Sequence, residues 1–185
     1  MLLEQLLVYH GAPTLAGLKI ANLISIPETE YKIVKNKLLI EYNRLCNNKG
    51  IYFQILCSCK NRYLLYIYNK ERVERYITKA ENEHFLSDAG YEPGLRLETQ
   101  LIILSARVKQ KNTFPHELGI FLGYPVADVK KFIQFGGDQA KICGEWKVYT
   151  NVNTAIETFR QYSCCRQDYL HRYNLGYSLW SLIVA

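Results

Sequence analysis

Two runs of aromatic and β-branched residues constrain the fold of this chain more than any other feature of its sequence. The runs IYFQIL (51–56) and RYLLYIY (62–68) lie on either side of a short polar segment at 59–61. Residues of these types favour strands, and a short polar turn between two such runs is typical of a β-hairpin. We therefore predict that residues 51–68 form an antiparallel hairpin.

Apolar residues at helical spacing predict helices on both sides of this hairpin. The predicted helices are 2–9, 27–46, 70–84, 95–109, a pair within 115–135, and 150–174. Asn69 is predicted to cap the third of these helices. The glycine- and proline-containing segment 11–17 is predicted to be a structured loop.

Two further segments resemble strands. Residues 18–26 are a strand candidate, and CGEWKVY (143–149) is predicted to join the same sheet as the hairpin. The predicted fold class is α+β: a small antiparallel sheet, made of hairpin 51–68 plus strand 143–149, covered by helices. The chain shows no internal repeat or linker, so we predict a single domain over residues 1–185.

Composition excludes several classes of protein. The 185 residues are 49% hydrophobic and 22% charged with a net charge of +6, which argues against disorder and collagen-like structure. No targeting or membrane segment is recognisable, so a cytoplasmic location without membrane contact is predicted. The cysteines should then be thiols rather than disulfides. They are Cys46, Cys57, Cys59, Cys143, Cys164 and Cys165, and their spacing predicts no metal site.

Three segments carry polar side chains among apolar neighbours: 12–19 (APTLAGLK), 114–119 (FPHELG) and 146–149 (WKVY). We predict that they converge on one site for an anionic small molecule, because constrained loop residues are often functional. The predicted ligand-binding residues are Thr14, Lys19, Asn22, Lys147 and Tyr149. His116 and Glu117 are the candidate catalytic residues, as acid or base and as its orienting partner. The alternative is that each segment is a local turn, cap or solvated strand.

Residues 116–132 also fit a helix-turn-helix, with Gly119 and Gly123 allowing the two helices to cross closely. In that alternative the protein binds DNA through Lys130 and Lys131. The fit is not favoured, because the second helix would present Asp128 to the phosphates. A protein-interaction module is a third alternative.

The motifs APTLAGLK, FPHELGIFLGYP and CGEWKVY together resemble a family of uncharacterised bacterial proteins, a domain of unknown function, over nearly the whole chain. The family pattern has cysteine before APTLAG, where this chain has Gly11. Whether that replacement abolishes an activity is left open. The resemblance implies a link to redox or iron metabolism, with a flavodoxin-like redox partner, and it leaves the cofactor unknown. The sequence leaves open whether the protein is an enzyme or an accessory binding protein.

Overall fold

A three-stranded antiparallel sheet lies at the centre of the molecule. Its strands are β1 (Ala21–Pro27), β2 (Ile51–Cys59) and β3 (Arg62–Asn69), in the order β1-β3-β2. Strands β2 and β3 pair along their full lengths with one irregularity, which confirms the hairpin predicted over 51–68. The strand predicted at 18–26 corresponds to β1, which begins three residues later and ends one residue later than predicted. The computed structural model describes residues 3–29, 37–59, 62–110 and 115–184.

Each face of the sheet has its own hydrophobic core. Successive side chains of a strand point to opposite faces, so Leu64, Tyr66 and Tyr68 of β3 enter one core. Leu65 and Ile67 enter the other. Because both faces are covered, the predicted α+β class with helices around a small antiparallel sheet is confirmed.

Helices from different parts of the chain cover the two faces. The first face carries α3 (Lys70–Ile77), α4 (Ala80–Asp88), α5 (Leu97–Gln110), α6 (Leu118–Phe121) and α7 (Val126–Gln134). The second face carries α1 (Leu3–Leu15), α2 (Asn43–Cys46), α8 (Val152–Asn174) and a 3₁₀ turn at Leu179–Leu182. The helices predicted at 95–109 and 150–174 are confirmed as α5 and α8. In the part of the chain that is described, no helix combines the length and apolarity needed to cross a bilayer.

Two predicted helix boundaries are wrong. Helix α1 continues through most of the predicted loop 11–17, with Pro13 in its last turn. Gly11 allows this, because a Cβ there would lie 3.1 Å from Cδ1 of Ile67, so α1 packs directly on β3. The predicted helix 70–84 is two helices, and the chain is extended at Lys79 between them. Asn69 does cap α3, accepting the backbone N–H of Arg72 at 3.1 Å.

The prediction that 143–149 joins the main sheet is wrong. Ile142–Cys143 (β4) pairs with Lys147–Val148 (β5) as a separate two-stranded hairpin. Gly144 N–H donates to the carbonyl of Trp146 at 3.1 Å, so the middle of the predicted strand is a turn. We call the β4–β5 unit with its turn the tip hairpin.

The predicted helix 27–46 falls partly outside the described residues. From Lys37 the chain is helical, first as a π-helix to Tyr42 and then as α2. A 3₁₀ turn follows, and it ends at Gly50, whose φ of 74° places it in the left-handed region. Glycine adopts this conformation without strain, which explains why the helical segment ends there.

Candidate functional site

A large cavity lies between α6, α7, the tip hairpin and β1. Its volume is about 890 Å³, within the range of about 300–1,000 Å³ that is typical of small-molecule sites. We call it the aromatic cavity. The rings and apolar chains that define it are those of Leu23, His116, Leu122, Tyr124, Phe132 and Trp146, with Lys147 as a charged member.

Trp146 lines the aromatic cavity, and several neighbouring side chains hold it in place. Its indole Nε1–H donates to Oδ2 of Asp128 at 2.8 Å. Its ring lies 5.3 Å from that of Tyr124 and 4.6 Å from that of Phe159, measured between centroids. Gly144 permits this packing, since a Cβ on it would lie 2.3 Å from Cε2 of Phe159. These contacts therefore fix the position of the Trp146 ring.

Asp128 is buried, with 2% of its surface exposed, and it organises the whole turn after β5. Its Oδ1 accepts the backbone N–H of Tyr149 at 3.0 Å, and the N–H and hydroxyl of Thr150 at 2.8 Å each. The expectation that Asp128 lies on the outward, DNA-facing side of α7 is wrong. The four hydrogen bonds that the carboxylate accepts offset the cost of removing it from water.

His116 and Lys147 meet at Phe132 on the rim of the aromatic cavity. The imidazole of His116 lies 5.6 Å from the Phe132 ring. The ammonium of Lys147 lies 5.8 Å from the same ring and donates to the carbonyl of Gly137 at 2.6 Å. Two of the three segments predicted to converge, 114–119 and 146–149, therefore contribute side chains to one cavity.

A second, smaller cavity of about 440 Å³ lies next to the first. We call it the polar cavity, and its polar and charged walls are Tyr9, His10, Lys19, Asn22, Glu145 and Arg166. Leu23, Leu122 and Tyr124 line both cavities. Neighbouring residues of the tip hairpin also divide between them, with Glu145 in the polar cavity and Trp146 in the aromatic one.

Glu145 lies between two cations in the polar cavity. Arg166 binds it through two bonds, Nη1 to Oε1 at 2.7 Å and Nη2 to Oε2 at 2.8 Å. Lys19 Nζ is farther away, 3.4 Å from Oε2. Burial opposes ionisation of Glu145, but the hydrogen bonds and charges of Arg166 and Lys19 outweigh it and lower its pKa. One carboxylate thus faces two positive charges.

Burial also changes the pKa values of two other titratable groups in the polar cavity, Lys19 and His10. Burial lowers the pKa of Lys19, against the opposing effect of Glu145. Burial also lowers the pKa of His10 below its usual 6.5, and the Arg166 charge lowers it further. His10 is therefore neutral at neutral pH. Counted with Lys19 and Arg166 as cations and Glu145 as an anion, the side chains that line the polar cavity sum to one positive charge.

The remaining predicted site residues lie behind or away from the cavities. Thr14 is buried and donates its hydroxyl to Oδ1 of Asn22 at 2.6 Å, so it supports a residue of the polar cavity. Glu117 is paired with Arg107 at 2.7 Å rather than with His116. Tyr149 is buried, and among the described residues its hydroxyl has no hydrogen-bond partner.

The predicted DNA-binding lysines lie on α7. Lys130 is exposed, and Lys131 lies over the ring of Phe135 at 5.6 Å. Gly119 lies within α6 and Gly123 in the turn that leads to α7, and a Cβ on Gly119 would be 3.0 Å from Cγ2 of Val129. The two helices therefore cross closely, as expected, while the DNA-binding role stays a prediction.

Sequence reasoning missed Glu145, Arg166 and Asp128. Arg166 had a usable signal, because it follows Tyr162 by four residues and so shares its inward helical face. Glu145 had one too, since it is a charged residue placed directly between a glycine and a tryptophan. Asp128 gave none, because an acid in the first turn of a helix is favoured wherever it points.

A family model described as "Protein of unknown function (DUF3793)" matches residues 7–183. The comparison with curated proteins gives no match, and neither does the comparison with solved structures. The family description assigns no activity, so any function must be argued from the geometry of the two cavities.

Proposed function

This chain belongs to the DUF3793 family of proteins of unknown function, and we propose that it binds a small amphiphilic anion. The apolar part of the ligand, containing a ring, occupies the aromatic cavity. Its anionic group occupies the polar cavity beside Lys19. The ligand thus spans the shared wall of Leu23, Leu122 and Tyr124.

The observation that carries the proposal is the excess cation in the polar cavity. Lys19 is only 5% exposed, yet among the described residues its one hydrogen bond is the long one to Glu145, whose carboxylate is already held by Arg166. Its ammonium lies 5.4 Å from the ring of Tyr124 and 5.8 Å from that of Tyr162. A buried charge needs pairing, and an anionic ligand supplies it.

The aromatic cavity supports the other half of the proposal. Aromatic side chains offer large apolar area and stack on planar rings. The rings of Trp146 and Tyr124 are held by neighbours, so little ordering would accompany binding. The proposal is one of binding, because Glu117 is bonded to Arg107 and does not orient His116 as an acid–base pair would require.

Two fluorescent probes that differ only in charge test this proposal. Anilinonaphthalene sulfonate carries the anion, and phenylnaphthylamine has the same ring system without it. We expect the sulfonate to bind at one site per chain and to change the fluorescence of Trp146. The variant Trp180→Phe leaves Trp146 as the only tryptophan reporter, because the chain has two.

The variant Lys19→Met keeps the length of the side chain and removes its charge. We expect it to weaken the sulfonate about tenfold or more and to change phenylnaphthylamine little, because hydrogen bonds to a charged partner contribute about 1.5–3 kcal/mol. Lys130→Met on the exposed face of α7 is the matched control and should change neither. Equal loss of both probes, or no loss of the sulfonate, would contradict the proposal.

A further inference from the structure

The charges of the polar cavity do more than attract an anion, because one of them is negative. Lys19 and Arg166 contribute two positive charges and Glu145 one negative charge, while His10 is neutral. From this arrangement, and resting on the proposed function, we infer that Glu145 makes the site selective for ligands with a single negative charge. Carboxylates, sulfonates and phosphodiesters fit this class, and phosphate monoesters do not.

The arrangement of bonds identifies Lys19 as the group that receives the ligand. Arg166 is already engaged at both terminal nitrogens by the two oxygens of Glu145. Such a two-bond pair is geometrically specific and stronger than a single contact. Lys19 has three donor hydrogens and one long bond at 3.4 Å, so it retains donors for an incoming oxygen.

Glu145 lies close enough to sense the charge of whatever Lys19 binds. An oxygen bonded to Lys19 Nζ approaches the same nitrogen that lies 3.4 Å from Oε2 of Glu145. The site is partly buried, with 19% of the Glu145 side chain exposed, so charges there are screened less than at the surface. A monoanion brings the net charge of the cavity to zero, whereas a dianion leaves it negative, meets the Glu145 carboxylate with twice the charge and costs more to remove from water.

Asn22 supplies a neutral contact that suits the same ligand. Thr14 donates to its Oδ1 at 2.6 Å and so orients the amide. The NH₂ group of that amide is a hydrogen-bond donor for an oxyanion. Asn22 and Lys19 both line the polar cavity. A ligand group with two oxygens can accept one hydrogen bond from the Lys19 ammonium and one from the Asn22 amide. Carboxylates, sulfonates and phosphodiesters are groups of this kind.

The test compares naphthyl phosphate with its methyl ester at about pH 7.5, where the monoester is mainly a dianion because its second pKa is about 6. The methyl ester keeps the ring and the phosphorus but carries one charge. We expect the unaltered protein to bind the ester about tenfold more tightly, since like charges placed together at a binding site are strongly disfavoured. Naphthalene sulfonate serves as a second monoanion.

The variant Glu145→Gln keeps an acceptor for Arg166 and removes the negative charge. We expect it to bind the dianion more tightly than the unaltered protein does, and to lose the preference for the ester. Glu157→Gln on α8 removes the same charge from an exposed pair with Arg160 and should leave the preference unchanged.

The outcomes separate the two proposals. If neither the sulfonate nor the ester binds, the proposed function fails. If both bind and the dianion binds as tightly in the unaltered protein, the inference about Glu145 fails alone. If Glu145→Gln lowers the affinity for every probe, Glu145 supports the cations rather than selecting charge, which also overturns the inference. Should that variant not fold, the comparison within the unaltered protein still decides.

Discussion

Asp128 and Trp146 lie eighteen positions apart in the chain and are joined by a bond of 2.8 Å between a carboxylate oxygen and an indole N–H. The same carboxylate accepts two backbone N–H groups just after β5. Asp128 therefore connects α7 to the tip hairpin at the residue that forms a wall of the aromatic cavity. The hydrogen bond between Asp128 and Trp146 thus positions the indole ring that lines the aromatic cavity.

Asp128→Asn should destabilise the protein by about 3 kcal/mol, because the amide NH₂ replaces an acceptor and leaves buried donors unpaired. The free energy of unfolding in urea measures the effect. Asp88→Asn is the matched control, since Asp88 is exposed on α4 and lies 3.7 Å from His84. It should change the free energy of unfolding by less than about 0.5 kcal/mol. Similar losses for the two variants would contradict the assignment.

The Glu145 carboxylate should make stability depend on pH in the acid range. Its pKa in the folded protein lies below the usual 4.5, so the unfolded chain takes up its proton first as the pH falls. The stability contributed by Glu145 is therefore present above about pH 5 and is lost as the pH falls through the folded pKa. The unaltered protein and Glu145→Gln should differ in free energy of unfolding near neutral pH and converge at low pH. A difference that is constant down to low pH would contradict this.

Gly123 should tolerate alanine less well than Gly94. Both have positive φ, 81° and 76°, so both variants suffer the same backbone strain. A Cβ on Gly123 would also lie 2.9 Å from Cγ1 of Ile20, whereas nothing lies within 4 Å at Gly94. Gly123→Ala should therefore lose about 1–3 kcal/mol more than Gly94→Ala. Equal thermal shifts would mean that Ile20 moves aside freely.

The thiols should fall into two reactivity classes. Cys143 and Cys164 are exposed, whereas Cys46, Cys57 and Cys165 are buried. Burial raises the pKa of Cys46 and of Cys165 to about 11, which leaves little of the reactive thiolate at neutral pH.

Titration of the native protein with dithiobis(nitrobenzoate) should show rapid reaction at the two exposed positions. The double variant Cys143→Ser with Cys164→Ser should lower the rapid phase by two thiols per chain. The denatured, freshly prepared protein should give six thiols, one for each cysteine of the sequence. A lower count would indicate a disulfide and contradict the expectation of reduced cysteines.

Local patterns predicted the parts of the fold that local interactions determine. The β2–β3 hairpin joins residues that are close in sequence, and the aromatic and β-branched residues of its two strands are recognisable in the sequence itself. Segment 143–149 misled the same reasoning, because alternation suggested a strand where Gly144 makes a turn and Phe159 fills the space beside it. The sequence around Gly144 does not indicate that an aromatic ring from α8 packs against this glycine.

The candidate site was partly predictable for a similar reason. Lys19, Asn22, His116 and Lys147 stood out as polar residues in constrained segments, and each lines one of the two cavities. Their division into neighbouring cavities was not predictable. It depends on Glu145, which pairs with Lys19, and on Arg166, which pairs with Glu145. These residues come from distant parts of the chain, so no spacing rule describes the ion pairs.

The central position of β3 also has a consequence for the order in which the protein folds. Hairpin β2–β3 closes a short loop and can form early, whereas β1 must close a much longer one to reach β3. Strand β1 carries Asn22 and Leu23, and Lys19 precedes it by two residues. We therefore expect the β2–β3 hairpin to form before β1 joins the sheet, so that the proposed ligand site, which needs residues on and beside β1, is completed only after the hairpin.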